Sequence, residues 1–301
     1  MKITVLGSQG AIPKVGMFSS SLNINIFNIN ILIDCCEGVQ FQLRNNKIKL
    51  NKIEIILISH AHGDHYFGLI GLISTLSLLK RHKKLTIFCP LSVFKIIHAH
   101  LKFSKMNLSY ELDIKVLNND TKVFIFENDN FIIEAFPLKH STYTNGFLIK
   151  EKKKKRKLVL QKAIENNIDK VYFNKLTKRE NVINNEGIEI NYLDVTEKAS
   201  KPKAFAYCSD TVYFDKLVEI IKGVDLLYCE TTFLKKDKDK AKITMHSTTE
   251  EAAILAKKGK VKRLLIGHFS SRYSDFGDFA KEVKPIFKNV LISKEGKQIE
   301  V

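Results

Sequence analysis

The feature of this sequence that most restricts its fold is a run of metal-binding residue types placed directly after an apolar strand. The segment IEIILIS, residues 53–59, is almost wholly apolar, which is typical of a strand covered on both faces. It is followed at once by HAHGDH, residues 60–65, which carries three histidines and one aspartate in six positions. Imidazole nitrogens and carboxylate oxygens suit Zn²⁺, and Mn²⁺, Fe²⁺ or Co²⁺ accept the same donors. The sequence therefore predicts a cation site where this strand ends.

Two histidines one residue apart, His60 and His62, can converge on one cation, and Gly63 permits a turn that brings Asp64 and His65 to a second. Such a dinuclear site needs further ligands. Three residues elsewhere stand in the same setting, just after an apolar strand, and are expected to join the motif: His140 after IIEAFPLK, Asp210 after AFAYCS and His268 after RLLIG.

A second His-x-His pair, His98 and His100, is not expected to bind metal. It lies in VFKIIHAHLKF, whose apolar periodicity predicts a helix over residues 93–103. Two side chains separated by two positions on a helix point to nearly opposite sides, and no Asp or His follows the pair.

The rest of the chain reads as a globular α/β protein. Composition, 45% hydrophobic and 27% charged, excludes disorder and fibrous classes. Short β-rich pieces fill residues 2–34, and a helix with basic residues in its last turn is predicted over 66–83. Strands and helices alternate after residue 203, which favours sheets covered by helices.

The sequence also bears on the location of the protein. The N-terminus has no secretory pattern, no apolar stretch is long enough to span a membrane, and the five cysteines include no CxxC pair. We therefore expect a cytoplasmic protein.

Basic residues exceed acidic ones, giving a formal net charge of +17. An AT-rich gene would produce the same overall bias, so the local distribution is more informative. Residues 150–203 contain 15 Lys and Arg against eight Asp and Glu, and the run KKKKRK occupies 152–157. Such a run is expected to be solvated and loosely ordered unless bound phosphates neutralise its charge. Residues 151–201 are thus the candidate for an inserted arm within a single domain of residues 1–301.

Seven segments, in this order along nearly the whole chain, resemble the ribonuclease Z family of the metallo-β-lactamase superfamily: GSQGAIP, HAHGDHYFGL, PLKHS, SDT, ETTF, MHSTTEEAA and HFSSRY. The resemblance implies a four-layer αβ/βα sandwich with two Zn²⁺ ions, a homodimer, and a flexible arm that grips tRNA. It also implies an endoribonuclease that removes the 3′ trailer from precursor tRNA. Metal-activated hydroxide would attack the phosphodiester, leaving a 3′-OH on the tRNA and a 5′ phosphate on the trailer.

The resemblance assigns roles to individual residues. Asp64 would orient the attacking water or take its proton, and His246 of MHST would protonate the leaving oxygen, with Glu230 of CETTF orienting it. For Glu230, a buried strand-end carboxylate that serves only the local structure is an equal alternative. Ser270, Ser271 and Arg272 beside the last histidine would hold a substrate phosphate. The metal assignments are His60, His62 and His140 for the first zinc, Asp64, His65 and His268 for the second, and Asp210 as the bridge.

Two alternatives remain open from the sequence. The same metals would serve a small-molecule phosphodiesterase or an arylsulfatase-like hydrolase, although neither needs a basic arm. A nonenzymatic RNA-binding protein would bind tRNA without needing the metal ligands. Two segments also depart from the family pattern: the arm lacks a Gly-Pro turn, and the loop after GSQGAIP reads KVGMFSSS, with Met17 and Phe18.

Overall fold

The computed structural model describes residues 1–301, which form two compact units. The larger consists of Met1–Glu127, Ile132–Ile149 and Lys203–Val301, and the smaller of Asn128–Phe131 and Lys150–Pro202. The strands are β1 (Lys2–Gly7), β2 (Ser21–Ile26), β3 (Ile29–Ile33), β4 (Ile53–Leu57), β5 (Leu85–Pro90), β6 (Leu112–Leu117), β7 (Val123–Glu127), β8 (Phe131–Pro137), β9 (Asn145–Glu151), β10 (Lys157–Leu158), β11 (Val182–Ile183), β12 (Glu189–Ile190), β13 (Thr196–Glu197), β14 (Ala204–Cys208), β15 (Leu226–Glu230), β16 (Leu264–Gly267), β17 (Val290–Ile292) and β18 (Gln298–Glu300). The helices are α1 (Val39–Asn45), α2 (Gly63–Tyr66), α3 (Leu69–Leu78), α4 (Leu91–Ser104), α5 (Leu160–Glu165), α6 (Phe173–Thr177), α7 (Tyr192–Val195), α8 (Asp215–Ile220), α9 (Lys238–Thr244), α10 (Thr249–Lys258) and α11 (Gly277–Val283).

Two seven-stranded sheets organise the larger unit. Their strand orders are β18-β1-β2-β3-β4-β5-β6 and β17-β16-β15-β14-β9-β8-β7. The predicted strands within residues 2–34 are confirmed as β1, β2 and β3. Phe27 and Asn28, with φ of 48° and 65°, form the two-residue turn of the β2–β3 hairpin, where positive φ matches the twist of the strands.

Each sheet packs helices against one face. In the first sheet, Leu32, Ile56 and Ile87 share a core with α1, α3 and α4. In the second, Cys208, Leu227 and Ile266 share a core with α8, α10 and α11. Side chains alternate along a strand, so the intervening residues, which are also buried, point to the opposite face, where the two sheets meet. The layers therefore run helix, sheet, sheet, helix.

The helix predicted over residues 66–83 was wrong in its bounds. Helix α2 covers only Gly63–Tyr66, and α3 ends at Leu78. Lys80 has a φ of 50°, which ends the helix, and the buried Arg81 turns inward. Its guanidinium donates to the carbonyl oxygens of Asn51, Lys83 and Lys84, so the basic residues are used in tertiary packing and not in a last helical turn.

Parallel pairing places several strand ends at common edges of the sheets. In the first sheet β3 and β4 are parallel, and in the second sheet β14, β15 and β16 are parallel. Because the carboxyl ends of parallel strands meet at one edge, the segments that follow these strands are brought together within each sheet.

The smaller unit has its own secondary structure and core. Residues 152–156 lack regular structure, but the remainder forms two short two-stranded sheets and the helices α5, α6 and α7. Its buried apolar residues are Ala163, Ile168, Leu176, Val182, Ile190 and Val195. The basic run, which was expected to be solvated and loosely ordered, has little regular structure, whereas the residues that follow it pack around this small core.

No helix combines the length and the apolar character that a membrane crossing requires. All five cysteines are buried and unpaired, at Cys35, Cys36, Cys89, Cys208 and Cys229. Burial raises the pKa of Cys89 to about 12, so this thiol stays protonated at neutral pH.

Candidate active site

The histidine-rich segment runs from the end of β4 through α2. His60 and His65 are completely buried, whereas His62 and Asp64 are partly exposed and line a cavity of about 520 Å³. A Cβ at Gly63 would lie 2.2 Å from the Phe67 ring, so a larger residue here would require that exposed ring to move.

The three distant candidates lie at the same cavity. His140 follows β8, Asp210 follows β14 and His268 follows β16. Asp210 and His268 have φ angles of 46° and 59°, a backbone conformation that costs free energy for residues with a side chain. Such conformations persist where the surrounding fold enforces them, and they are common at functional sites.

One group of side chains forms around His62. Its Nδ1 lies 3.0 Å from Nε2 of His60 and 3.3 Å from Nε2 of His140. Oδ2 of Asp210 lies 3.4 Å from Nε2 of His60. One ligand atom from each of these four residues lies within 4.8 Å of all the others.

A second group joins Asp64, His65 and His268, again with one ligand atom each within 4.8 Å of the others. Oδ2 of Asp64 lies 3.2 Å from Nε2 of His65 and 3.5 Å from Nε2 of His268. Asp210 lies between the two groups, with Oδ2 3.4 Å from Nε2 of His65 and Oδ1 3.2 Å from Nε2 of His268.

The second group contains buried polar atoms without hydrogen bonds, and this supports a metal at the site. Oδ2 of Asp64, Nε2 of His65 and Nε2 of His268 are buried, and none has a hydrogen-bond partner despite their short separations. Buried polar atoms in folded proteins nearly always have a partner. A divalent cation would satisfy all three, and a set of imidazole nitrogens and carboxylate oxygens is suited to that ion.

The electrostatics of the two groups agree with this fit. Burial and the neighbouring His65 lower the pKa of His60 to about 4, which keeps it in the neutral form that binds metals. Burial favours protonation of Asp64, but His65 and His268 hold its pKa well below the usual value. Burial opposes a charge on His65, but Asp210 and Asp64 raise its pKa. A bound divalent cation would supply the positive charge that these carboxylates otherwise favour on the protonated ring.

In three of the imidazoles, the nitrogen that points away from the centre is held by the protein. Nδ1 of His65 pairs with Oδ2 of Asp34 at 2.7 Å, Nδ1 of His268 with Oγ1 of Thr232 at 2.8 Å, and Nδ1 of His140 with the Met245 carbonyl oxygen at 2.9 Å. Such contacts fix the ring orientation and the tautomer of a metal ligand.

Asp34 and Thr232 were not predicted from the sequence. Asp34 had an available signal, because it directly follows the apolar run INILI just as His60 follows IEIILIS. It is completely buried, with a φ of 55°.

His246 lies beside the two groups and is held by Glu230. Its Nδ1 is 2.9 Å from Oε1 of Glu230, and its ring centroid is 4.9 Å from that of His140. Burial alone would lower the pKa of His246, but the Glu230 carboxylate raises it to about 9. Glu230 also accepts backbone N–H groups, including those of Thr211 and Ser247 at 2.9 and 3.0 Å. It therefore orients His246 and organises the local backbone at once.

The predicted phosphate-binding residues occupy two different places. Ser270 and Ser271 line the cavity, whereas Arg272 is not among the residues of its wall. The Arg272 guanidinium lies over the Phe233 ring, 4.9 Å from its centroid, and its Nε donates to Oγ of Ser270 at 3.0 Å. Arg272 thus orients Ser270 in this structure.

The second His-x-His pair belongs to neither of these groups. His98 and His100 lie on α4, and the ring of His98 stacks on that of Phe94 with 5.9 Å between centroids.

Comparison with known proteins agrees with this architecture. Residues 29–174 match the family model of the beta-lactamase superfamily domain. Ribonuclease Z of Parabacteroides distasonis is 36% identical over 299 residues, which cover 99% of this chain and 98% of that protein. Ribonuclease Z of Cytophaga hutchinsonii is 38% identical over 301 residues, which cover 100% and 96%.

The crystal structure of the short form of human tRNase Z has the same fold. It superposes with a TM-score of 0.72 at 23% identity, covering 100% of this chain and 99% of that one. The predicted α/β sandwich of the metallo-β-lactamase type is therefore confirmed. The resemblance read from the sequence motifs is confirmed as well, because the relatives match along almost their full length. The chain belongs to the ribonuclease Z family.

Proposed function

We propose that this protein is a dinuclear zinc endoribonuclease that removes the 3′ trailer from precursor tRNA. As a member of its family the protein is an endoribonuclease, and the substrate, the metal and the residue roles are the content of the proposal. The observation that carries it is that seven candidate metal ligands from segments distant in the chain form two adjoining groups, and that five of them line one cavity together with His246.

The metal assignment follows the two groups of side chains. One cation would be held by His60, His62 and His140, and the other by Asp64, His65 and His268, with Asp210 shared between them. Bound divalent cations lower the pKa of a water molecule and neutralise the charge of a phosphodiester. Zn²⁺ is the ion proposed, and Mn²⁺, Fe²⁺ and Co²⁺ are the alternatives that the same donors accept.

The chain's own residues supply the proton transfers. Asp64, with one oxygen buried among histidines, would orient the attacking water or receive its proton. His246 would donate a proton to the leaving 3′ oxygen, because the Glu230 carboxylate stabilises its protonated ring. The hydroxyls of Ser270 and Ser271 line the cavity as donors for phosphate oxygens. The products would be a tRNA with a 3′-OH and a trailer with a 5′ phosphate.

A basic pocket in the smaller unit favours an RNA substrate over a small phosphodiester. This pocket of about 380 Å³ is lined by the cations of Lys153, Lys154, Arg156, Arg179, Lys198 and Lys201, and by no carboxylate. Arg156 is held rigidly, with its guanidinium 5.3 Å from the Tyr192 ring centroid and its Nε donating to Thr196 Oγ1 at 2.6 Å. A concentration of cations of this kind is suited to the phosphates of a nucleic acid. We propose that this unit is the tRNA-binding arm.

The proposal also includes a homodimer, as the resemblance implies, and a location in the cytoplasm. The five unpaired buried cysteines agree with a reducing compartment. Light scattering during gel filtration measures the oligomer, and a mass of one chain of 34.5 kDa would contradict the dimer.

The direct test is cleavage of one tRNA that carries a 3′ trailer. We expect metal-loaded protein to cut once, leaving a 3′-OH on the tRNA and a 5′ phosphate on the trailer. Asp64→Ala is expected to abolish turnover without unfolding the protein. His98→Ala, which changes a histidine outside the site, is the matched control and should retain full activity. Absence of cleavage with Zn²⁺, Mn²⁺, Fe²⁺ and Co²⁺ would refute the proposal.

A further inference from the structure

The carboxylate of Asp34 receives hydrogen bonds from both sheets. Its Oδ2 accepts from Nδ1 of His65 at 2.7 Å, from Oγ of Ser59 at 2.9 Å and from the hydroxyl of Tyr207 at 2.7 Å, and its Oδ1 accepts from the Ser59 N–H at 2.8 Å. Three of these four donors come from the 59–65 segment, which itself carries metal-ligand candidates. Tyr207 is the donor that comes from the second sheet, on β14.

Asp34 reaches both metal-binding groups. It contacts His65 of the second group directly. Oγ of Ser59, which donates to Asp34, lies 3.0 Å from Nδ1 of His60 in the first group. When His60 binds a cation through Nε2, its Nδ1 carries the proton and donates to Ser59 Oγ, and the Ser59 hydroxyl proton remains available for Asp34.

Tyr207 belongs to a stacked pair that lies between the sheets. Tyr207 and Tyr228 are register partners on β14 and β15, and their rings are 4.7 Å apart at an angle of 15°. Both are completely buried. They differ in what their hydroxyls meet, because Tyr207 donates to Asp34 whereas the hydroxyl of Tyr228 pairs with Ser20 Oγ at 3.1 Å.

The position of this hydrogen bond matters because the site is assembled from both sheets. The 60–65 segment belongs to the first sheet, whereas Asp210 and His268 follow strands of the second. A bond from β14 to Asp34 fixes the carboxylate that orients His65 relative to the strand that leads to Asp210.

We propose that Tyr207 is a positioning residue for the metal centre, acting through Asp34 on His65 directly and on His60 through Ser59. This inference depends on the proposed metal ligands, and it extends the metal centre to a residue that lies outside the ligand set.

The test compares Tyr207→Phe with Tyr228→Phe, two variants that remove the same atom from neighbouring, equally buried rings. Zn²⁺ affinity is measured by competition with a chromophoric chelator, which needs no RNA and no catalysis. Removing a residue that hydrogen-bonds to a metal ligand lowers metal affinity by about 10- to 100-fold. Tyr207 contacts such a residue and not the ligand itself, so we expect Tyr207→Phe to weaken Zn²⁺ binding by less, about three- to ten-fold. The hydroxyl of Tyr228 does not contact Asp34, so we expect the Zn²⁺ affinity of Tyr228→Phe to stay within about two-fold of that of the unaltered protein.

Thermal unfolding of the metal-free variants separates positioning from stability, because it measures the cost of losing each buried hydroxyl in the absence of metal. The double variant Tyr207→Phe with Asp34→Asn should lose less binding free energy for Zn²⁺ than the sum of the two single losses, because both changes remove the same hydrogen bond. If Tyr207→Phe does not fold, the site-specifically ¹³C-labelled Tyr207 ring in the unaltered sequence provides the second measurement, and its resonance should shift when Zn²⁺ binds.

Equal Zn²⁺ affinities of the Tyr207 and Tyr228 variants, or an unchanged Tyr207 resonance, would overturn this inference and leave the proposed function standing. Failure of the unaltered protein to bind any divalent metal would overturn both.

Discussion

At the scale of single residues, the site depends on the protein groups that hold the histidine rings in place. Glu230 holds Nδ1 of His246 through Oε1, and the same oxygen accepts the backbone N–H groups of Thr211 and Ser247. The sequence predicted both possibilities for Glu230, catalytic orientation and local structure, and the geometry supports both. It could not decide between them because the backbone groups that meet the carboxylate come from segments distant in the chain.

His246→Ala should lower kcat by about 100-fold or more, the usual contribution of a general acid, with little change in KM. Glu230→Gln should lower kcat in the same direction by less, because the ring remains but its protonated form loses the carboxylate. Steady-state kinetics on trailer-bearing tRNA measures both.

Metal content is the control for these two variants, and it should equal that of the unaltered protein. His246 lies within ligand distance of Asp210 and His268, so loss of metal from His246→Ala would show that His246 is a ligand and contradict its role as proton donor.

At the scale of elements, the parallel strands β14, β15 and β16 bring Asp210, Glu230 and His268 to one edge. This arrangement was predictable, because the polar residues that follow apolar strands lie at the same edge of a sheet when those strands pair in parallel. The bounds of the helix after the motif were not predictable, because the inward turn of Arg81 depends on carbonyl groups of residues 51, 83 and 84.

The opposite ends of these strands predict a pH dependence of stability. Asp225, just before β15, accepts from the Ala204 N–H at 2.9 Å and from Lys262 Nζ at 2.6 Å. Burial favours protonation, but Lys262 and the Ala204 N–H lower the pKa of Asp225 below its ordinary value of 3.8. A group whose pKa is depressed by folding stabilises the protein above its unfolded-state pKa, and this contribution disappears as pH falls through the folded-state pKa.

Asp225→Asn should therefore reduce the free energy of unfolding by about 1–2 kcal/mol near neutral pH. This is less than the value of about 1.5–3 kcal/mol for a hydrogen bond to a charged group, because the amide oxygen of Asn still accepts. The difference from the unaltered protein should shrink below pH 3.8. Urea unfolding at several pH values measures it, and a difference that grows toward acid pH would contradict the assignment.

At the scale of the whole molecule, the resemblance to a known family predicted the sandwich, and a short motif with a repeated strand-end setting predicted the set of residues expected to converge. The sequence did not predict the internal structure of the basic region. The net charge of a segment reports the five lysines and one arginine of 152–157. It carries no information on the core of the smaller unit, which is built from six apolar residues scattered along the chain.

Neutralising the basic pocket should weaken tRNA binding without slowing the chemical step. Lys153→Ala with Arg179→Ala should raise KM, leave kcat nearly unchanged, and reduce the slope of log affinity against log salt by about one for each phosphate that the protein no longer neutralises. The matched control removes the same charge from exposed lysines outside this unit, Lys49→Ala with Lys95→Ala. An equal effect of both pairs would show that only net charge matters.

Native mass spectrometry after equilibration with Zn²⁺ counts the metal ions on each chain and is the sharpest test of a dinuclear centre. Asp210 lies between the two groups of candidate ligands, so we expect two ions on the unaltered protein and none retained by Asp210→Ala. An unaltered chain that binds no metal, or an Asp210→Ala chain that still holds two ions, would contradict it.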